Sequence, residues 1–197
     1  MGSSCHDIMM ILAGGIVGLL SSLIILSIQI WINNKGNVKI YRKIIAIPFQ
    51  NNDYGWGCIE ERDELVFMVP MAIELMNTSN TTKVIRDLSL HLYEGMNYVG
   101  RMIQIEYSKG KTDIEYGADN NAYSFTLAPR SVQKQRCLFA YKIHKSQRRA
   151  VLFDTIKIQY YDEKDRPHKS QLVDGIVNCW GTNLYEKDEN WTLLSNQ

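Results

Sequence analysis

The sequence has almost no net charge and few cysteines, and each shortage excludes a class of protein. Its 22 basic and 21 acidic side chains leave a formal net charge of +1, which gives no global bias towards nucleic acid or acidic partners. The four cysteines form no CxxC pair and have no histidine at zinc-ligand spacing, so a structural zinc site is not expected. We expect reduced, buried thiols instead.

Signatures of common enzymes are also missing. The chain has no GxSxG elbow, no GxxxxGK(S/T) phosphate loop and no HExxH pair. Its four histidines are far apart in the sequence, and we expect His91 to be a solvated strand residue. We therefore predict a protein that is not an enzyme, with no catalytic residue, no metal site and no cofactor.

Lysine and arginine are absent before residue 8, and residues 8–32 contain no charged side chain at all. A helix of this length extends about 37 Å, whereas the hydrocarbon core of a bilayer is about 30 Å thick. A cleaved signal peptide would have basic residues ahead of a shorter apolar run and a small-residue cleavage site. We therefore predict a short tail at 1–7 and an uncleaved, single-pass transmembrane helix at 8–32.

Basic residues follow this helix, and they predict its direction. They are Lys35, Lys39, Arg42 and Lys43. The positive-inside rule then places the N-terminus outside and the C-terminal domain in the cytoplasm, with an extracytoplasmic domain as the alternative. Three Asn-x-Ser/Thr sites, at Asn77, Asn80 and Asn190, would not be glycosylated in the cytoplasm, so a glycan there would contradict this orientation.

Three small residues, Gly14, Gly18 and Ser22, recur every four positions on one face of the predicted helix. Small side chains at this spacing let transmembrane helices approach closely, which predicts a homo-oligomer formed through the helix. The alternative is that this face meets lipid, because glycine is common in membrane helices.

Beyond a linker at 33–37, residues 38–182 alternate in the manner of strands, and 183–197 form a C-terminal tail. About eight strand-like runs without an amphipathic helix predict an all-β fold, an antiparallel immunoglobulin-like β-sandwich, with a small β-barrel as the alternative. Pro70 interrupts one apolar run and predicts an edge or a bulge there. In the run 83–93, Arg86 interrupts the apolar face that carries Leu88.

One stretch carries a resemblance. The residues "IELMNTSNTTKVIRDLSLHLY", taken with the preceding helix, are similar to a set of small bacterial proteins of uncharacterised function. Those proteins have one N-terminal transmembrane helix and an immunoglobulin-like β-sandwich, in which an N-T-S turn precedes a strand. The resemblance covers residues 8–95. It implies fold and placement and assigns no catalytic residue. By itself, the "NTSNTT" stretch is typical of a β-turn between two strands.

The segment 130–149 is the strongest candidate for a binding surface, because it is basic and contains no acid. Its cations are Arg130, Lys134, Arg136, Lys142, Lys145, Arg148 and Arg149. On a strand, Arg136 and Lys142 would point away from the apolar residues between them. Such a face would bind anionic lipid or another anionic ligand. Alternatively, its charges balance the acidic segment 51–64.

Together these features predict a membrane-anchored, non-catalytic binding or scaffolding module with a cytoplasmic β-sandwich. Its partners would be the lipid bilayer and a protein that the sequence does not name, and nucleic acid is an unlikely partner. The alternative is a membrane effector, whose sandwich senses an anionic ligand or partner and perturbs the bilayer through helix association.

Overall fold

A long helix precedes a domain built from two large antiparallel sheets and a separate pair of short strands. The computed structural model describes residues 2–49, 52–105, 123–181, 184–185 and 187–194. Helix α1 covers Gly2–Asn34, and a 3-10 turn covers Lys145–Gln147. The described strands are β1 (Val38–Ile44), β2 (Ile47–Phe49), β3 (Asn52–Tyr54), β4 (Trp56–Glu61), β5 (Glu64–Asn77), β6 (Lys83–Glu94), β7 (Asn97–Arg101), β8 (Ile103–Ile105), β9 (Tyr123–Leu127), β10 (Val132–His144), β11 (Thr155–Tyr161), β12 (Pro167–Val173), β13 (Leu184–Tyr185) and β14 (Thr192–Leu193).

Each sheet is organised around one long strand. In the first sheet, β5 pairs with β10 on one side and with β4 and then β1 on the other, while β8, β13 and β14 add to the outer strands. In the second sheet, β6 pairs with β11 on one side and with β9 and β7 on the other, and β12 lies beyond β11. Several short strands pair with each long strand, and such short strands are hard to recognise in a sequence. The structure therefore describes fourteen strands where the sequence predicted about eight.

The described strands do not close into a barrel. The predicted all-β antiparallel sandwich with a preceding helix is therefore confirmed, and the barrel alternative is wrong. One apolar core fills the space between the sheets, with Phe67 and Phe139 from the first sheet and Leu90 and Ile158 from the second. A smaller apolar cluster, which includes Met68, lies on the outer face of the first sheet.

The "NTSNTT" stretch connects the two sheets. β5 belongs to the first sheet and β6 to the second, so residues 78–82 carry the chain across the sandwich. The chain reverses here between two strands, and these strands do not pair with each other because they belong to different sheets. Local polar residues satisfy the backbone at either kind of reversal, so the sequence does not distinguish them.

Pro70 lies in the central strand of its sheet, where we expected an edge or a bulge. Pairing of β5 with β4 ends at Met68, and pairing with β1 begins at Met71. The carbonyl of Pro70 accepts a hydrogen bond from Ile45 N at 3.1 Å, so this residue faces the gap between the two neighbours. Its missing N–H therefore costs no ladder hydrogen bond, and the proline is tolerated centrally.

A β-bulge changes the phase of β6. The register shifts between Ile85 and Leu88, and Asp87 has a left-handed φ of 53°. Ile85 is consequently buried, while Arg86 points outward and pairs with Asp165. The expectation that Arg86 shares the face of Leu88 is wrong, because the extra residue of a bulge reverses the alternation.

Three segments differ from the expected strand and loop pattern. Glycine and asparagine in the stretch 93–100 predict a turn, but β7 occupies Asn97–Arg101. Residues 174–180 are not a strand, although the run 171–180 predicted one. β13 and β14 pair with β4 and β1, so described parts of the segment 183–197 add to the first sheet. The stretch 108–121, whose glycines and asparagines also predict a turn, lies outside the described residues.

Helix α1 extends beyond the span 8–32 at both ends. Its part from Gly14 to Asn33 is long and apolar enough to cross a membrane. None of that part is buried against the rest of the structure.

Candidate functional site at the helix-proximal end of the sandwich

Four connections meet at the end of the sandwich that α1 enters, which we name the helix-proximal end. They are residues 35–37, 78–82, 128–131 and 162–166. Ser79 O accepts a hydrogen bond from Arg130 N at 3.0 Å, which joins the connection 78–82 to the connection 128–131. Residues of 35–37 and of 162–166 line the same cavity. Segments far apart in the sequence therefore form one surface.

The linker that follows the helix is held by Thr78. The Thr78 hydroxyl accepts a hydrogen bond from Asn37 N at 2.9 Å and donates one to Asn37 O at 2.8 Å. Thr78 N donates a third bond to Asn37 O at 3.1 Å. Gly36 has a φ of +122°, and a Cβ there would lie 2.7 Å from Thr78 O, so only glycine fits. The chain between helix and sandwich is thus fixed on the domain.

Asn77 organises the same connection from inside. Its side chain is 1% exposed. The Nδ2 group lies at hydrogen-bond distance from the carbonyls of Thr81, Leu127 and Ala128, between 2.8 and 3.3 Å. Its Oδ1 accepts from the amide and the hydroxyl of Ser79. Because Nδ2 is the atom that would carry a glycan, a glycan on Asn77 is incompatible with this packing, whichever side of a membrane the domain occupies.

A cavity of about 210 Å³ opens beside the linker. Its lining residues are Gly36, Asn37, Val38, Lys83, Ile85, Tyr160, Asp162, Glu163, Arg166 and His168. The Lys83 side chain is only 16% exposed, and its Nζ lies 2.6 Å from Glu163 Oε1. Tyr160 stacks on the ring of His168 with centroids 4.8 Å apart. The wall is therefore charged and is held by side chains from β6, β12 and the loop between β11 and β12.

Asp162 is the buried anchor of this wall. Its Oδ1 accepts from the amides of Lys164 and Arg166, and its Oδ2 is shared by the Arg166 guanidinium and His168 Nε2. Burial alone would raise the pKa of Asp162, but the hydrogen bonds from Arg166, His168 and the two amides outweigh it and hold that pKa well below its usual range. Both oxygens are occupied by N–H donors, so this carboxylate is poorly placed to bind a cation.

The basic segment 130–149 does not form one compact patch. Strand β10 is 13 residues long, so its ends lie about 40 Å apart. Arg136 and Lys142 point outward as expected, but Leu138 and Ala140 between them are buried in the outer apolar cluster. The face is basic at both ends of the strand and apolar in its middle.

Acidic neighbours neutralise much of this segment. Lys134 pairs with Glu74 at 2.9 Å, Lys142 pairs with Glu64, and Lys145 pairs with Glu60. Among the seven basic residues of the predicted binding surface, Arg130 lies at the helix-proximal end, where its Nε donates to Asn80 Oδ1. The other end of β10 leads into the exposed residues Arg148 and Arg149. The partners Glu60 and Glu64 belong to the acidic segment that we considered as a balancing charge.

The small-residue face of the helix is open. Gly14, Gly18 and Ser22 are exposed, and a Cβ at either glycine would meet nothing within 4 Å. Ser22 Oγ donates to Gly18 O at 2.9 Å, which satisfies the hydroxyl within the helix. This face can accept a close neighbour.

Three cysteines and His91 lie outside the cavity, in surroundings that are typical of structural rather than reactive side chains. Cys58, Cys137 and Cys179 are buried and free, as expected, and burial raises the pKa of Cys58 to about 11. His91 is half-buried, and burial and then Arg101 lower its pKa. In the described part of the chain, no group of three or more His, Cys, Asp or Glu residues is arranged to hold a metal ion.

Comparisons with protein-family models, with curated proteins and with solved structures give no match to this chain. The candidate site therefore depends on geometry alone. Sequence reasoning missed Lys83, Arg166 and His168, because their segments are remote and the loop 162–166 has the composition of an ordinary hairpin tip. The usable signal was the density of charge in that loop.

Proposed function

We propose that this chain is a membrane-anchored, non-catalytic binding or scaffolding module whose β-sandwich lies in the cytoplasm. The observation that carries the proposal is the exposed apolar surface of α1 from Gly14 to Asn33. A continuous apolar surface of this length is unfavourable in water and matches the thickness of a bilayer core. The clamp between Asn37 and Thr78 would then hold the sandwich at the membrane surface.

The distribution of cations supports the cytoplasmic orientation. The basic residues that follow the helix in the sequence are Lys35, Lys39, Arg42 and Lys43. Basic residues this close to the end of a transmembrane helix favour the cytoplasmic side.

The buried thiols and Asp162 support a function without catalysis. A nucleophilic cysteine needs a thiolate, but burial keeps Cys58 and Cys137 protonated at neutral pH. In the Asp162–His168 pair, the carboxylate is occupied by backbone amides and Arg166, which suits a structural contact.

Alkaline extraction of cell membranes, combined with an intact mass measurement, tests the anchor. The full-length chain should stay in the membrane pellet after carbonate washing, because the helix interacts with the hydrocarbon core. Release into the supernatant, or a mature mass that lacks residues of the helix, would show a peripheral or secreted protein and overturn the proposal.

The open small-residue face and the clamped linker favour a second candidate, an effector that acts through helix association. Replacing Gly14 and Gly18 with leucine should weaken self-association in a bilayer, measured by energy transfer between labelled chains. Gly15→Leu on a different face is the matched control. Equal effects at Gly15 and at the Gly14/Gly18 face would exclude a specific helix contact.

A further inference from the structure

We propose that the cavity beside the linker binds a phosphate group, carried by either a phospholipid headgroup or a small soluble phosphoester. Three donor side chains converge on it from separate elements: Lys83 from β6, Arg166 from the loop before β12, and His168 from β12. Phosphate has several strong acceptor oxygens, and lysine and arginine are the side chains that bind it most often in proteins.

Lys83 and Arg166 retain donors after their structural contacts are counted, whereas His168 uses its Nε2 on Asp162. Among the described residues, Lys83 Nζ has one partner, Glu163, so two of its three protons are available. The Arg166 guanidinium uses Nε and Nη2 on Asp162 and is 63% exposed, which leaves the Nη1 side open. The two carboxylates orient these cations and limit the conformational entropy lost when a ligand binds.

The surrounding surface has a surplus of positive charge. Residues 35–39, 83–86, 128–131 and 162–166 contain seven cations and three carboxylates. All three carboxylates are paired, Asp162 with Arg166, Glu163 with Lys83, and Asp165 with Arg86. The described structure shows no ion pair for Lys39 or Lys164, which adjoin the lining residues Val38 and Glu163 in the sequence, so the surface around the cavity carries uncompensated positive charge.

The cavity lies close to the end of the helix, which would place it near the phosphate groups of lipid headgroups. This inference rests on the proposed membrane anchor. Gly36 and Asn37 line the cavity, and the linker from the helix spans at most about 10 Å. A helix in the bilayer would therefore hold the cavity at the headgroup layer, where nearby cations are attracted to anionic lipid.

The test uses the full chain in dodecyl maltoside micelles, which contain no phosphate. One arm titrates glycerol 3-phosphate by calorimetry, and the other adds phosphatidylglycerol and counts retained lipids by native mass spectrometry. The double variant Lys83→Gln/Glu163→Gln removes the cavity ion pair without changing net charge. Its matched control, Lys145→Gln/Glu60→Gln, removes an ion pair at the other end of the sandwich. Val38→Phe narrows the cavity and leaves every charge in place.

We expect one bound phosphate group per chain, with affinity about tenfold lower or more in the cavity variants and unchanged in the control. Val38→Phe remains decisive if the double variant fails to fold. A calorimetric response identifies a soluble ligand, and lipid retention alone identifies a headgroup. Failure of both arms, or equal weakening in the control, overturns the proposal. This experiment does not test the proposed membrane anchor, because micelles replace the membrane. Its failure is therefore distinct from failure of the carbonate extraction.

Discussion

Among single residues, Asn77 has the most demanding surroundings at the helix-proximal end. Its amide group faces three carbonyls, and its side chain is 1% exposed. Asn77→Asp keeps the shape but directs a carboxylate at those carbonyls. We expect a loss of about 3 kcal/mol or more in the free energy of unfolding, since each lost partner leaves a buried polar group unsatisfied.

Thermal unfolding in micelles, followed by tryptophan fluorescence to which the buried Trp56 and Trp180 contribute, measures this loss. Asn80→Asp is the matched control, because Asn80 is exposed and uses its Oδ1 on Arg130 alone. We expect a change within about 0.5 kcal/mol there. Similar losses at both positions would contradict a special role for Asn77.

Asp162 makes stability depend on acidity. Its pKa is lowered in the folded chain, whereas an unfolded aspartate has a pKa of about 4. The unfolded chain therefore binds the proton at higher pH, so stability from Asp162 is complete above about pH 4 and is lost as the pH falls further. Asp162→Asn should lower stability by about 2–3 kcal/mol at neutral pH and flatten the decline in acid.

Urea unfolding across this pH range is the measurement. Asp165→Asn in the same loop is the control, because Asp165 is 75% exposed and pairs at the surface with Arg86. Exposed pairs contribute little, so this variant should keep the acid decline of the natural chain. A decline that is equally steep without Asp162 would assign it to other carboxylates.

At the scale of elements, residues 187–194 form a C-terminal strap along the edge of the first sheet. Asp188 accepts from Ile44 N at 2.8 Å and pairs with Arg42. Arg42 also donates to Leu172 O in β12, so one guanidinium joins the two sheets. Its side chain is only 15% exposed, and a largely buried cation is costly to leave unpaired.

Asp188→Ala should therefore loosen the strap locally. The amide of Leu194 bonds to Ile40 O at 2.8 Å, and we expect its hydrogen exchange to accelerate about tenfold, which corresponds to about 1.4 kcal/mol. Glu189→Ala is the control, because the contact of Glu189 with Lys43 uses its backbone carbonyl. Unchanged exchange at Leu194 after Asp188→Ala would show that the strap does not depend on this ion pair.

Secondary-structure elements were predictable where a regular alternation of apolar and polar residues marks them in the sequence. Alternation in β10 correctly placed Arg136 outside, opposite to the inward-facing Phe139, because a strand repeats every two residues. Burial of Leu138 on the opposite face was not predictable, since it depends on a contact with the remote Ile105. The bulge at Asp87 was missed for the same reason: one extra residue changes the phase without changing composition.

At the scale of the whole molecule, the candidate site is an outcome of topology. The cavity takes residues from 36–38, 83–85 and 160–168, and no short window of sequence contains all three. Composition therefore drew attention to the contiguous segment 130–149, whose cations the fold distributes between opposite ends. The helix itself was predictable because its signal is local and continuous.

The orientation of the whole chain remains a prediction, and its thiols provide a test. Membrane-impermeant maleimide reacts with accessible thiolates, and Cys58, Cys137 and Cys179 are buried with raised pKa values, so they should stay silent. Cys5 precedes the span and should label in intact cells if the N-terminus is outside. Arg62→Cys, placed at the exposed tip between β4 and β5 in a Cys5→Ser background, should label only after permeabilisation.

The opposite pattern would place the sandwich outside the cytoplasm. A glycan at Asn80 or Asn190 would agree with that result, whereas the lack of one at Asn77 is uninformative, because its Nδ2 is enclosed by three carbonyls. Labelling at Arg62→Cys in intact cells would show that this chain does not follow the positive-inside rule, on which the cytoplasmic assignment is based. The clamp and the cavity would be unaffected, since both are properties of the folded domain.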